Sequence, residues 1–157
     1  MVSPPMDALL DQISREHFPN PPATRSEIEE FERRVGWTLD PDLRAFYLHC
    51  NGAALLQRLD SPYEILPLSG IMRARVAIRR EDTDEWGSPW MYALCYVRDG
   101  NYVVLDVSQR VDERYVLIDG IHESWPDPYY CKQIAASFSE FLEEVMRTRR
   151  SLYWLGE

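Results

Sequence analysis

Residues 24–53, TRSEIEEFERRVGWTLDPDLRAFYLHCNGA, hold two complete helix signatures end to end. Thr24 and Glu27 stand at capping-box spacing, where hydroxyl and carboxylate satisfy N–H groups orphaned at a helix start. Ile28, Phe31 and Val35 recur at helical spacing, and Gly36 supplies a left-handed stop. The second signature opens with Asp40 as N-cap and Pro41 at the first helical position, where a missing N–H costs nothing. Leu43, Phe46, Tyr47 and Cys50 form its stripe, and Asn51-Gly52 reads as its end. The exposed acids Glu29, Glu30 and Glu32 read as a solvated face.

The runs EEFERRVG (29–36) and LDPDLRAFYLHCNG (39–52) together resemble the helical hairpin that opens domains of the SUKH superfamily, the cell-wall-assembly-regulator type. Two positions depart from that pattern: Leu39-Asp40-Pro41 stands for Leu-Pro, and Asn51-Gly52-Ala53 for Asn-Gly-Gly. The resemblance implies an α+β fold in which N-terminal helices pack on a mainly antiparallel sheet with a C-terminal helix. It also implies recognition without catalysis. Bacterial members are immunity proteins that bind and neutralise a cognate toxin, often a nuclease, and yeast members are regulators acting through protein contacts.

Outward from the hairpin, Met6–Phe18 reads as a short helix with Leu9, Leu10, Ile13 and His17 on one face. His17 at its end reads as a cationic cap favoured by the macrodipole. Residues 1–5 read as a loose tail, and Pro19, Pro21 and Pro22 as a stiff connector. Downstream, 53–61 carries little signal. Tyr63–Leu68 reads as a strand placed at an edge or bulge by Pro67. Gly70–Arg80 reads as helical, and 81–89 as an acidic loop. Trp90–Val97 and Tyr102–Val107 read as strands joined by an Asp99-Gly100 hairpin turn, since both positions tolerate positive φ. A polar turn over 108–113 leads to a third strand, Arg114–Ile118, and Asp119-Gly120 reads as a further turn. Residues 122–132 are irregular. Ser137 and Glu140 have capping-box spacing ahead of the stripe Phe138, Phe141, Leu142 and Val145. Arg147, Arg149 and Arg150 suit that helix's C-terminal dipole, and the tail brings Leu152 or Trp154 back onto the body. Helices flanking hairpin-linked strands make an α+β domain, taken as one unit over 1–157.

At 157 residues the chain can bury a self-sufficient core. It lacks the ~20-residue apolar run of a membrane helix, and its N-terminus lacks a basic region and apolar core. The expectation is therefore a cytoplasmic protein without a membrane partner. Cys50, Cys95 and Cys131 are too widely spaced for a zinc site and read as free thiols. A net charge of −9 argues against a nucleic-acid backbone as partner and suits a basic protein.

No nucleophile elbow, phosphate loop, dinucleotide fingerprint or EF-hand register is present. No catalytic residue, metal or cofactor is therefore assigned. The candidate surface is instead aromatic and acidic: Asp82, Asp84, Glu85 and Trp86 in one loop, with Glu123, Trp125, Asp127, Tyr129 and Tyr130 in the other. Tyr and Trp bury much area at small entropic cost, and acidic neighbours suit a cationic protein. Trp90 reads as core. The alternatives are a small-molecule or carbohydrate site using Trp86, Trp125 and Tyr130 as stacking platforms, or a hydrolase using the loop carboxylates.

Overall fold

The computed structural model describes residues 5–56, 63–150 and 152–155. Among them the helices are α1 (Met6–Glu16), α2 (Arg25–Val35), α3 (Pro41–His49), α4 (Ala74–Arg79) and α5 (Phe138–Thr148). The strands are β1 (Phe18–Pro19), β2 (Ala53–Leu55), β3 (Tyr63–Ile65), β4 (Met72–Arg73), β5 (Met91–Val97), β6 (Asn101–Val111), β7 (Arg114–Gly120) and β8 (Gln133–Ala135). They form one antiparallel sheet ordered β1-β2-β3-β5-β6-β7-β8, with β4 also paired to β5. The architecture is α+β.

The helical hairpin forms for the reasons its residues announce. Glu27 N–H donates to Thr24 Oγ1 at 3.1 Å, Thr24 N–H donates to Glu27 Oε1 at 2.9 Å, and Gly36 closes α2 at φ +82°. Asp40 Oδ1 accepts the Leu43 N–H at 2.9 Å to open α3. At α5, Ser137 Oγ accepts the Glu140 N–H at 3.1 Å. Apolar residues of α1, α2, α3 and α5 then meet one face of the sheet. Leu43, Phe46, Tyr47, Phe138, Phe141, Leu142 and Val145 are buried there with Val103, Leu105 and Leu117. The C-terminal Leu152, Tyr153 and Trp154 pack against this core.

Because side chains alternate along strands, Val104 and Ile118 fall on the other face. There Ala74 of α4, Val104, Trp125 and Cys131 form a second, smaller buried cluster. This face is covered by a short helix and an irregular segment.

Several local readings are corrected. The helix expected over Gly70–Arg80 is strand β4 followed by six-residue α4. Pro67 lies outside β3, which is an interior strand between β2 and β5. The 108–113 turn is only Asp112-Glu113, because β6 runs on to Val111. Asp119-Gly120 is not a turn but the end of β7. A Cβ on Gly120 would lie 2.6 Å from the Tyr102 carbonyl oxygen, so the glycine serves close packing. Asp99-Gly100 is the turn expected, at φ +63° and +80°.

His17 is the C-cap residue of α1, as expected, but not a cationic one. It is buried, and its Nδ1 accepts the Leu56 N–H at 3.1 Å. Cys50 follows the last turn of α3 in extended conformation, so that helix ends before Asn51-Gly52. Glu32 is not simply solvated, since its carboxylate accepts the Leu39 N–H at 2.8 Å. Trp90, read as core, is 46% exposed. The tail at 1–5 lies outside the described residues except for Pro5.

Candidate functional site

The loop 81–89 is built around a guanidinium. Arg75 is 6% exposed on α4. It donates from Nε to Asp82 Oδ1 at 2.7 Å, and from Nη1 to Asp84 Oδ1 at 2.8 Å and the Gly87 carbonyl at 3.1 Å. Arg73 adds a contact to Asp82 Oδ2 at 3.1 Å. The hydrogen bond from Arg75, with the charges of both arginines, holds the Asp82 carboxyl below the usual carboxylate range. Arg73, Arg75, Arg79 and Arg80 match Glu81, Asp82, Asp84 and Glu85 one for one, so the loop that reads as acidic is locally neutral.

The second loop, 121–132, meets the first along a seam. Trp125 donates from Nε1 to the Trp86 carbonyl at 3.0 Å. Arg79 lies 4.7 Å over the Trp86 ring and donates from Nη2 to the Trp125 carbonyl at 2.9 Å. Trp86 donates from its own Nε1 to Glu81 at 3.1 Å. Gly87 sits at φ +103°, and a Cβ there would lie 3.2 Å from Pro126. The backbone conformation favours glycine at this crossing, and a Cβ would also press on Pro126. Trp125, expected in the binding surface, is only 2% exposed and belongs to the second core. Its ring has no area to offer a partner and acts beneath the surface.

The exposed groups are different ones. Tyr129 and Tyr130 are 69% and 57% exposed, with ring centroids 4.8 Å apart at 79°. The Lys132 ammonium stands 5.3 Å from the Tyr129 ring. The backbone beneath them is held by Asp127, whose Oδ1 accepts the Tyr129 N–H and whose carbonyl accepts those of Tyr130 and Cys131. Glu85, Glu123 and Asp127 are exposed, and among the described residues none forms an ion pair. Thus the structure joins the two loops, seats Trp86 in the seam and Trp125 below it, and leaves Tyr129, Tyr130 and three carboxylates outward. Sequence reasoning missed Arg75 and Arg79 as organisers. They read only as charged positions of the helix expected over Gly70–Arg80, although Arg73, Arg75, Arg79 and Arg80 precede four acids.

Chemically the arrangement suits recognition better than turnover. A general acid needs a carboxyl raised toward neutrality, whereas Asp82 is held low. Burial pushes the Cys50 thiol up to about 12 and Cys131 to about 11, the reverse of an activated nucleophile. All three cysteines are buried and free. Among the described residues no group of three or more His, Cys, Asp or Glu is placed to hold a metal, and no helix is long and apolar enough to cross a membrane. A cleft of about 280 Å³ lies elsewhere, between α2 and Leu68-Ser69, and takes in none of the candidate residues.

The family model of the SMI1 / KNR4 family (SUKH-1) matches residues 22–144. The match runs from the first helix cap of the hairpin into α5 and includes both loops. No curated protein matches the chain.

Proposed function

The chain belongs to the SMI1 / KNR4 family (SUKH-1), and from that premise we propose that it is a non-catalytic protein-binding module of the immunity type, which binds and neutralises a cognate toxin. The observation that carries this reading is the outward tyrosine pair Tyr129–Tyr130 on a backbone fixed by Asp127. Exposed aromatic rings on an ordered frame are the usual anchors of protein interfaces. The proposed partner is a basic protein, such as a nuclease domain, whose cationic substrate face suits a chain of net charge −9. Complex formation in the cytoplasm is part of the same proposal.

The electrostatic part of the interface is assigned to Glu85, Glu123 and Asp127. Asp82 and Asp84 already hold Arg75, so a partner cation would have to displace an internal bond to use them. The carbohydrate alternative loses one of its three platforms with the burial of Trp125.

The test is capture from the source cells with the wild-type chain and with Tyr129→Ala/Tyr130→Ala, followed by reconstitution with the identified protein. A basic toxin domain retained by wild type, bound at least about ten-fold more weakly by the double variant, is expected from the loss of two hot-spot rings. Equal binding by both chains would remove the tyrosine pair from the interface.

A further inference from the structure

Arg79 touches both loops at once. Its guanidinium lies over the Trp86 ring in the first loop, and its Nη2 donates to the Trp125 carbonyl in the second. Trp125 returns a hydrogen bond to the Trp86 carbonyl, so each tryptophan is held by the other's loop and Arg79 closes the triangle. Gly87 lets the two loops approach at this point without a side chain between them.

The chemistry around Arg79 is unlike that around Arg75. Four carboxylates follow it within six residues, yet among the described residues Arg79 forms no ion pair. Its Nε is buried and has no hydrogen-bond partner. Arg34 and Arg110 also pair a ring face with a backbone carbonyl, but Arg79 directs these two contacts at two separate loops. A planar, delocalised cation can stack and donate in-plane at the same time, which a lysine ammonium cannot.

We propose that Arg79 is the positioning residue that locks loops 81–89 and 121–132 into one preassembled docking face, with the basic protein partner proposed above as its occupant. The proposal rests on that docking reading for its functional sense. The seam itself stands on the geometry. Preassembly matters because a loop ordered only on binding subtracts its ordering cost from affinity. With the seam closed, the rings of Tyr129 and Tyr130 and the carboxylates of Glu85, Glu123 and Asp127 are presented on one frame. With it open, the two loops move independently.

The test uses the full chain with Arg79→Met, which keeps the aliphatic stem, with Arg79→Lys, which keeps the charge, and with Trp86→Leu, which removes the ring seat. Amide hydrogen exchange is read in both loops and in β5–β7. Expected is an acceleration of about ten-fold or more in both loops for all three variants, with the sheet unchanged. Trp86→Leu is decisive because it must loosen 121–132 across the seam. Acceleration confined to one loop in every variant, or rescue by Arg79→Lys, overturns the proposal. Binding to the captured toxin domain then separates the two claims. Faster dissociation in variants with loosened loops supports both, whereas unchanged dissociation despite loosened loops leaves the seam standing and removes the docking reading.

Discussion

Asp40 has almost no solvent exposure, and its two carboxylate oxygens serve two distant parts of the chain. Oδ1 caps α3 through Leu43, and Oδ2 accepts the Tyr115 N–H of β7 at 3.0 Å. Burial raises its carboxyl above the ordinary value, and the two backbone donors work against that shift. Asp40→Ala removes a cap and strands a buried N–H, so unfolding in urea should show a loss of about 2–4 kcal/mol. Asp40→Asn retains an acceptor and should lose less. The cap was legible because its partner is three residues away. The bond to Tyr115 spans 75 residues and leaves no local trace. His17 carries a second prediction at this scale. Burial first, and then the charge of Arg149, lowers its pKa below 6.5, so the unfolded chain binds the proton more readily than the folded one. The stability contributed by neutral His17 is therefore complete above 6.5 and is lost as pH falls through the lower folded value. Wild type should lose stability between pH 7.5 and 5 by more than His17→Gln does, as read by urea titration at both pH values. Equal slopes would show that His17 does not titrate in this way.

Among the elements, α2, α3 and α5 were readable because caps and stripes are local, with each helix carrying its own start signal. Strands β2, β4 and β8 have two or three residues each, too few for a period to register. They exist because a neighbouring strand supplies the bonds. The same non-locality made Asp119-Gly120 look like a turn. Asp-Gly is a turn signal when both residues need positive φ, as at Asp99-Gly100, but Gly120 is constrained by space instead. A Cβ there would meet Tyr102 backbone at 2.6 Å and Val104 Cγ2 at 2.7 Å. Gly120→Ala must push β7 away from β6 at the point where Tyr102 pairs with it. Thermal unfolding should show a loss of about 1–3 kcal/mol, in the range of overpacked interiors. A variant of wild-type stability would mean that the strands separate there without cost.

For the whole molecule, composition reports a charge but not its distribution. The loop at 81–89 reads as acidic from its residue types, yet four arginines cancel that segment and two of them bond its aspartates. The two loops were identified from their residue types, but their meeting along the Arg79 seam depends on tertiary contacts 39 and 46 residues apart in sequence. The excess acid is spread over the rest of the chain, including Asp7, Asp11 and Glu16 of α1 against Arg15 alone. A diffuse field of this kind steers a cationic partner from all sides and is screened at a Debye length of about 10 Å in 0.1 M salt. Association with a basic toxin domain should therefore slow by about ten-fold or more between low and high salt. Neutralising Glu85, Glu123 and Asp127 together to Gln, Gln and Asn should reproduce only part of that fall and leave dissociation nearly unchanged, because exposed rim charges act mainly on encounter. Asp82→Asn should do the opposite. It leaves the field almost intact but replaces the charged acceptor of buried Arg75 with a neutral one and so weakens that bond, so dissociation quickens while the salt slope stays. Stopped-flow association and dissociation rates at two ionic strengths separate the two classes. If Asp82→Asn alters the salt slope as the rim variant does, then Asp82 contacts the partner directly and its pairing with Arg75 yields on binding.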